Sequence, residues 1–339
     1  MKSTWTGLWA ASMKRGLAAL YKASKPRSPP ALKLKTPGAK ARQARASADK
    51  GRWVAGLAIH ATGARRYRLF CPPGIQPGER VPMLVMLHGC GQDAQGFADS
   101  TRMNRIAARE GFITLYPEQD RLTNPQRCWN WFDTRSGRAY SEAMIIMAAI
   151  DQACALYPVD RARIAVAGLS AGASMAALLA TRYPDRFKAV VMHSGVPPGN
   201  AHSTLTALGA MHGRRTVAPL PASTPAPSPG TTAPWPPLLV IHGASDKVVV
   251  ASNGRDAVQA WADAVGARAM ATRGVQRGQR YAMTVTDFKY KGHTVATLAD
   301  IDRLGHAWSG GAAKAPFSDA KGPDASRMVW AFVSRQFRR

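Results

Sequence analysis

No CxxC pair and no grouping of cysteine with histidine at zinc-ligand spacing occurs in the sequence, which argues against a zinc site. The four cysteines, Cys71, Cys90, Cys128 and Cys154, leave room for one or two disulfides at most. Apolar runs are short. None approaches the roughly 18 uninterrupted residues of a membrane-spanning helix. Near the start, Lys2, Lys14, Arg15, Lys22, Lys25 and Arg27 break every run before it reaches the length of a secretory apolar region. The expectation is a soluble or peripheral chain with no legible signal peptide. Acidic residues are scarce too: 20 stand against 46 lysines and arginines, a formal charge of +26. Anionic surfaces will attract such a chain, although net charge says nothing about its fold.

What is present suits a large core. At 339 residues, 46% hydrophobic and 8% aromatic, one catalytic domain with appendages is expected. Residues 1–50 carry twelve lysines and arginines against the single acid Asp49, and Pro26, Pro29, Pro30 and Pro37 interrupt them. This reads as a basic, mostly disordered tail. Its first part is spaced for a short amphipathic helix through Trp5, Leu8, Trp9, Met13, Leu17, Leu20 and Tyr21. Such a helix docks on an anionic or apolar surface, packs on its own domain, or belongs to a cleaved or idle extension.

Residues 51–339 are globular in composition. Strand-like runs at 67–71, 83–87, 113–116, 164–167, 190–193 and 238–242 alternate with helical patterns at 104–110, 142–156 and 174–182. That alternation predicts βαβ units and a mostly parallel sheet with helices on both faces. Residues 201–237, which include PLPASTPAPSPGTTAPWPP, are expected to be an irregular Pro-rich insertion.

The strongest local signal is Gly168-Leu169-Ser170-Ala171-Gly172, between the strand run at 164–167 and the helical run at 174–182. Serine on a sharp strand-to-helix turn projects its hydroxyl from the sheet edge, and flanking glycines let the backbone turn. A serine nucleophile needs a base, and the base needs a carboxylate, in the chain order Ser, Asp, His. Asp246 follows the buried-strand run at 238–242, and His306 lies in the glycine-bearing loop Gly305-His306-Ala307-Trp308. Asp256, Asp300 and Asp302 are weaker acids by position. His293 sits at an expected hairpin turn, His193 and His242 end apolar strands and read as structural, and His60, His202 and His212 read as solvated. Two N–H donors are needed for the oxyanion. Ala171 is expected to supply one, and Cys90 or Gly91, in His88-Gly89-Cys90-Gly91-Gln92, the other.

With these residues in place, the chain resembles the polyhydroxybutyrate depolymerase family of esterases, related to feruloyl and acetylxylan esterases, over roughly residues 51–339. The blocks are LHGCGQDAQGFADSTRMNRIA, then YPEQ with NPQRCWNWF, then VAGLSAGASMAALLATRYPDRFKAV with HSGVPPG, then IHGASDKVV, and last GHAWSGG. The resemblance implies an α/β-hydrolase fold and an acyl-enzyme mechanism on Ser170, Asp246 and His306, without metal or cofactor. The implied substrate is a polyhydroxyalkanoate or its oligomers, or an aryl or acetyl ester of a polysaccharide. Cys90 and Cys128 both fall inside the blocks, so the resemblance implies a disulfide tying the oxyanion loop to the Trp129-Asn130-Trp131 segment. An oxidising, extracellular setting would then follow, whereas the missing signal leaves the cytoplasm open. Trp129, Trp131 and Trp308 adjoin these blocks and either line a substrate cleft or pack in the core. Two departures stand out: Ala244, where similar esterases often carry aspartate, and the rich Pro insertion before Trp235. A rival reading from another class is a basic protein that binds anionic surfaces through residues 1–50 beside an inert hydrolase domain. No specific nucleic-acid partner is expected.

Overall fold

The computed structural model describes residues 51–214 and 235–338. The basic tail, with its expected amphipathic helix, and the most Pro-rich stretch, 215–234, lie outside the described residues. In chain order the first half comprises β1 (Arg52–His60), β2 (Gly63–Cys71), β3 (Val81–Leu87), α1 (Ala94–Thr101), α2 (Met103–Glu110), β4 (Ile113–Pro117), α3 (Arg138–Leu156), β5 (Val159–Leu169), α4 (Ala171–Arg182) and β6 (Ala189–His193). The second comprises α5 (Thr204–Met211), β7 (Leu238–Gly243), α6 (Ser252–Asp263), β8 (Arg268–Ala269), β9 (Arg273–Val275), β10 (Met283–Tyr290), β11 (His293–Ile301), β12 (Trp308–Ser309), β13 (Ser318–Asp319) and α7 (Ala325–Gln336).

Eleven strands form one sheet in the order β1-β2-β4-β3-β5-β6-β7-β11-β10-β8, with β9 also paired to β10. From β4 to β11 every neighbouring pair is parallel. Antiparallel strands flank this centre on both sides. Residues of β4, β6 and β7 are buried without exception, as parallel strands covered on both faces must be. Over one face, Leu84, Met86, Ala165, Ala167, Val191 and Ile241 pack with Phe97, Met103, Ile106, Val329 and Phe332 of α1, α2 and α7. Helices α3, α4 and α6 also pack on the sheet. This is the α/β-hydrolase fold.

Three details depart from the sequence reading. Helix α3 is, among the described residues, long and apolar enough to cross a membrane. Its Ala139, Ala143, Ile146, Ile150 and Ala153 are buried and recur at the spacing of one helix face, which lies on β1, β2 and β5. Second, the Pro-rich region is not irregular from residue 201: Thr204–Met211 forms α5, started by a reciprocal cap between Ser203 and Thr206. Trp235, at its other end, is buried with its ring 4.8 Å from that of Trp261. Third, β1 is a nine-residue edge strand, missed because its glycine and alanines dilute the β-rich pattern.

The site is positioned by the turn from β5 into α4. Ser170 there has φ 56° and ψ −122°, a strained conformation for a residue with a side chain. A Cβ at Gly172 would lie 2.1 Å from the Leu87 carbonyl oxygen and 2.5 Å from that of His88. One at Gly168 would lie 2.3 Å from Gly172 backbone. The start of α4 thus presses on the end of β3 with no room for a methyl group. Gly172→Ala is therefore expected to lose about 3 kcal/mol of stability, read as a lower Tm, whereas Gly274→Ala, with nothing within 4 Å, should melt near wild type. Equal melting of the two variants would contradict this packing argument.

Candidate active site

Ser170 is fixed from both sides of its peptide: its N–H donates to the His193 carbonyl at 2.9 Å, and its own carbonyl accepts from the Ala173 and Ser174 N–H groups. Its Oγ lies 2.9 Å from His306 Nε2. His306, in the loop between β11 and β12, places Nδ1 2.7 Å from Asp246 Oδ2. The other carboxylate oxygen of Asp246 accepts the Val248 and Val249 N–H groups, each at 2.9 Å. With these partners His306 carries its proton on Nδ1 and offers Nε2 to the serine hydroxyl. Burial pushes the Asp246 carboxyl upward, but hydrogen bonding and charge from His306, the Val249 N–H and the nearby His242 outweigh it, and the net shift is downward. The three residues expected from sequence therefore form one hydrogen-bonded relay. The competing acids lie elsewhere: Asp300 faces Arg255 at 3.7 Å and Asp302 faces Arg303 at 3.6 Å. His293 is exposed at the β10–β11 turn.

The loop after β3 abuts the serine, since a Cβ at Gly89 would sit 3.5 Å from Ser170 Cβ. Its backbone donors resolve the choice left open by the sequence. Gly89 N–H donates to Gln92 Oε1 at 2.9 Å, Gly91 N–H to the Gln126 carbonyl at 2.8 Å, and Gln92 N–H to the Gly89 carbonyl at 3.3 Å. Gly91 is thereby corrected, because its N–H is already committed. The Cys90 N–H has no partner among the described residues, and neither has that of Ala171, the first residue of α4, as expected at a helix N-terminus. Cys90 is bonded to Cys128, while Cys71 and Cys154 are free and buried.

The tryptophans are core residues rather than cleft walls, which corrects that alternative. Trp129 is fully buried and its Nε1–H donates to the His88 carbonyl at 3.0 Å. Trp308 is fully buried and donates to Ser326 Oγ at 3.0 Å. Trp131 is buried edge-on to Phe132. A polar cluster that the sequence reading missed lies behind the loop. Glu142 of α3 is buried and accepts from Gln119 Nε2 (2.8 Å), Asn130 N (2.9 Å) and Asn130 Nδ2 (2.6 Å). Gln119 also donates to the Cys128 carbonyl at 3.0 Å and accepts from buried Arg65. The signal was available, since a glutamate one residue from Ala143 falls within the apolar face of α3.

Residues 65–277 match the family model described as Esterase PHB depolymerase. The chain is 31% identical over 187 residues to poly(3-hydroxyalkanoate) depolymerase C of Paucimonas lemoignei, covering 52% of this chain and 44% of that protein. It is 29% identical over 196 residues to feruloyl esterase B of Neurospora crassa, covering 54% of this chain and 65% of that one. It thus spans less than two thirds of the length of either relative. Among solved structures, the acetyl xylan esterase from Aspergillus awamori superimposes with a TM-score of 0.57 at 19% identity, over 76% of this chain and 94% of that one, a likeness of fold.

Three buried histidines surround the relay. Burial pushes His88 down to about 4 and, together with the neighbouring His242 and His306, His193 down to about 3. His242 is also lowered, by burial first. In the unfolded chain each would titrate near 6.5. As pH falls below that value the unfolded state binds protons that the folded state refuses, so stability is lost from about pH 6.5 down to about pH 4 for His88 and about pH 3 for His193. By about pH 4, His88 and His193 should each have cost roughly 3 kcal/mol. Denaturant unfolding at pH 7.5 and 4.5 should give a distinctly lower midpoint at the acid pH; coincident midpoints would refute the buried neutral state.

Proposed function

The chain belongs to the Esterase PHB depolymerase family, and from that membership we propose that it is a serine carboxylic-ester hydrolase that cleaves hydroxyalkanoate or similar esters through an acyl-enzyme. The observation that carries the reading is the unbroken relay from Ser170 Oγ through His306 to Asp246. Ser170 attacks the ester carbonyl as His306 Nε2 takes its proton. The N–H groups of Cys90 and Ala171 receive the oxyanion, in a site where such donors act at full strength because they are already oriented. The tetrahedral adduct collapses, the alcohol leaves with the proton held by His306, and water activated by the same imidazole releases the acid. Asp246 holds the imidazole tautomer throughout. The Cys90–Cys128 bond supports an oxidising compartment, which agrees with the secreted setting implied by the family resemblance.

Hydrolysis of p-nitrophenyl butyrate tests the reaction. Ser170→Ala, matched to wild type by circular dichroism, should lose activity by on the order of 10⁶-fold, and Asp246→Asn by about 10⁴-fold in kcat. Activity equal in Ser170→Ala and wild type, or absent from both, would move the weight to the rival of an inert, basic surface-binding domain. Hydroxybutyrate oligomers, methyl ferulate and acetylated xylan, compared by kcat/KM, then separate the substrate classes; preference for either of the latter two would replace the hydroxyalkanoate reading.

The disulfide provides a separate test of the oxyanion assignment. Cys128→Ser removes the tether of Cys90 without touching the relay. It should lower kcat by about 10-fold or more, up to the 10²- to 10³-fold typical of a lost oxyanion donor. Unchanged kcat in a folded Cys128→Ser protein would dissociate the tether from catalysis.

A further inference from the structure

One residue touches both the Ser170 turn and the loop that carries His306. His193 ends β6, and its carbonyl oxygen accepts the Ser170 N–H at 2.9 Å. Its side chain turns to the other partner: Nε2 accepts the Ser309 N–H at 3.1 Å, three residues after His306, and the ring stacks on Trp308 with centroids 5.0 Å apart. Nδ1 lies 3.2 Å from Ser194 Oγ, so the proton sits on Nδ1 and the Nε2 lone pair is free for Ser309. The imidazole is fully buried, where water cannot replace a lost partner and an unsatisfied N–H is costly. From this geometry we infer that His193 is a positioning residue: its ring holds the His306 loop at the distance from Ser170 that its own carbonyl fixes. The inference rests on the esterase reading above.

Protonation would place a hydrogen on Nε2 against the Ser309 N–H, and burial keeps that from happening, since His193 is pushed down to about 3. The imidazole therefore remains an acceptor across the pH range in which an ester hydrolase works. The loop on the far side is anchored as well, with Ser309 Oγ donating to the Pro323 carbonyl (2.7 Å) and Trp308 Nε1 to Ser326. Those bonds hold the loop to α7 and its approach. Among the described residues, the side chain of His193 alone ties it to the strand that also holds Ser170.

His193→Phe keeps a ring against Trp308 and leaves the main-chain bond to Ser170 intact, but removes the acceptor. His193→Gln restores an acceptor on a flexible arm. With p-nitrophenyl butyrate, the Phe variant should lose on the order of 10²-fold in kcat, the scale of a misplaced reacting group. KM should stay within about twofold, and Gln should recover about 10-fold or more of the loss. If the Phe variant does not fold, His193→Leu, which also lacks an acceptor, takes its place. Phosphonylation of Ser170 by a fluorophosphonate, followed by intact mass, repeats the comparison without an ester and should slow in proportion. Near-wild-type kcat and labelling in the variant without an acceptor, a change confined to KM, or no rescue by Gln would each overturn the inference. Loss of the esterase reading alone would appear differently, as wild-type protein that labels at Ser170 but hydrolyses none of the esters offered.

Discussion

The contact on which the site depends is the close approach of α4 to the end of β3, where Gly172 meets the Leu87 and His88 carbonyls with no space for a side-chain carbon. Two distant stretches of chain meet there. One supplies Ser170 and the Ala171 N–H; the other continues directly into the loop that carries Cys90. Because the backbones touch, Ser170 and the loop that carries Cys90 are brought together without any long side chain having to reach across the gap. Catalysis by fixed dipoles requires this, since donors that must reorganise during the reaction lose most of their advantage. The strained Ser170 backbone is the local consequence, held by the His193 carbonyl on one side and the first turn of α4 on the other.

Behind that contact lies a cluster of buried polar side chains. Glu142 sits in the buried face of an otherwise apolar helix, and Arg65 is equally buried. Neither charge would be tolerated without partners. Glu142 accepts three hydrogen bonds, and Arg65 reaches Gln119, which bonds to the Cys128 carbonyl and to Glu142. The disulfide carries this rigidity from Cys128 to Cys90, while Trp129 adds a bond to the His88 carbonyl. Burial lowers the Arg65 pKa, with Glu142 and Asp120 opposing that shift, so the guanidinium is held by its surroundings rather than by solvent. The loop bearing the free Cys90 donor is thus fixed at its base by a network of buried side chains.

Much of the fold and the relay was legible in the sequence because both follow rules of order and context. The parallel strands announce themselves as continuous apolar runs, and the serine turn as glycines between a strand and a helix. Asp246 and His306 stand out because the chain order of the triad excludes most rivals. Other features depend on which backbone groups are already engaged. Cys90 and Gly91 are equivalent by sequence, and only the bond from Gly91 to Gln126 separates them. The tryptophans were ambiguous because an indole beside a catalytic block packs in the core or faces a cleft with the same neighbours in sequence. Helix α5 was hidden because its Ala- and Leu-rich turns precede a far longer run of prolines, whose composition dominates any window that includes both.

Three buried histidines hold backbone groups around the relay. Strands β3, β6 and β7 each carry a buried histidine at or beside their last residue, within about one residue of the same level in the sheet: His88 directly after Leu87, His193, and His242 one place after the residue paired with His193. Each supports a different part of the site. His88 accepts the Gln119 N–H at 3.0 Å beside the Cys90 loop, and His193 accepts the Ser309 N–H in the His306 loop. His242 Nε2 lies 2.8 Å from the Val249 carbonyl, at the end of the turn whose N–H groups hold Asp246. A neutral imidazole carries one donor and one acceptor on a rigid ring, so it can satisfy a backbone group where water is excluded without introducing charge. An amide could match the hydrogen bonds but not the stacking on Trp308, and an aliphatic residue would leave the backbone group unpaired. Burial holds all three neutral, while His306, bonded to Asp246 and Ser170, is the most exposed imidazole of the cluster.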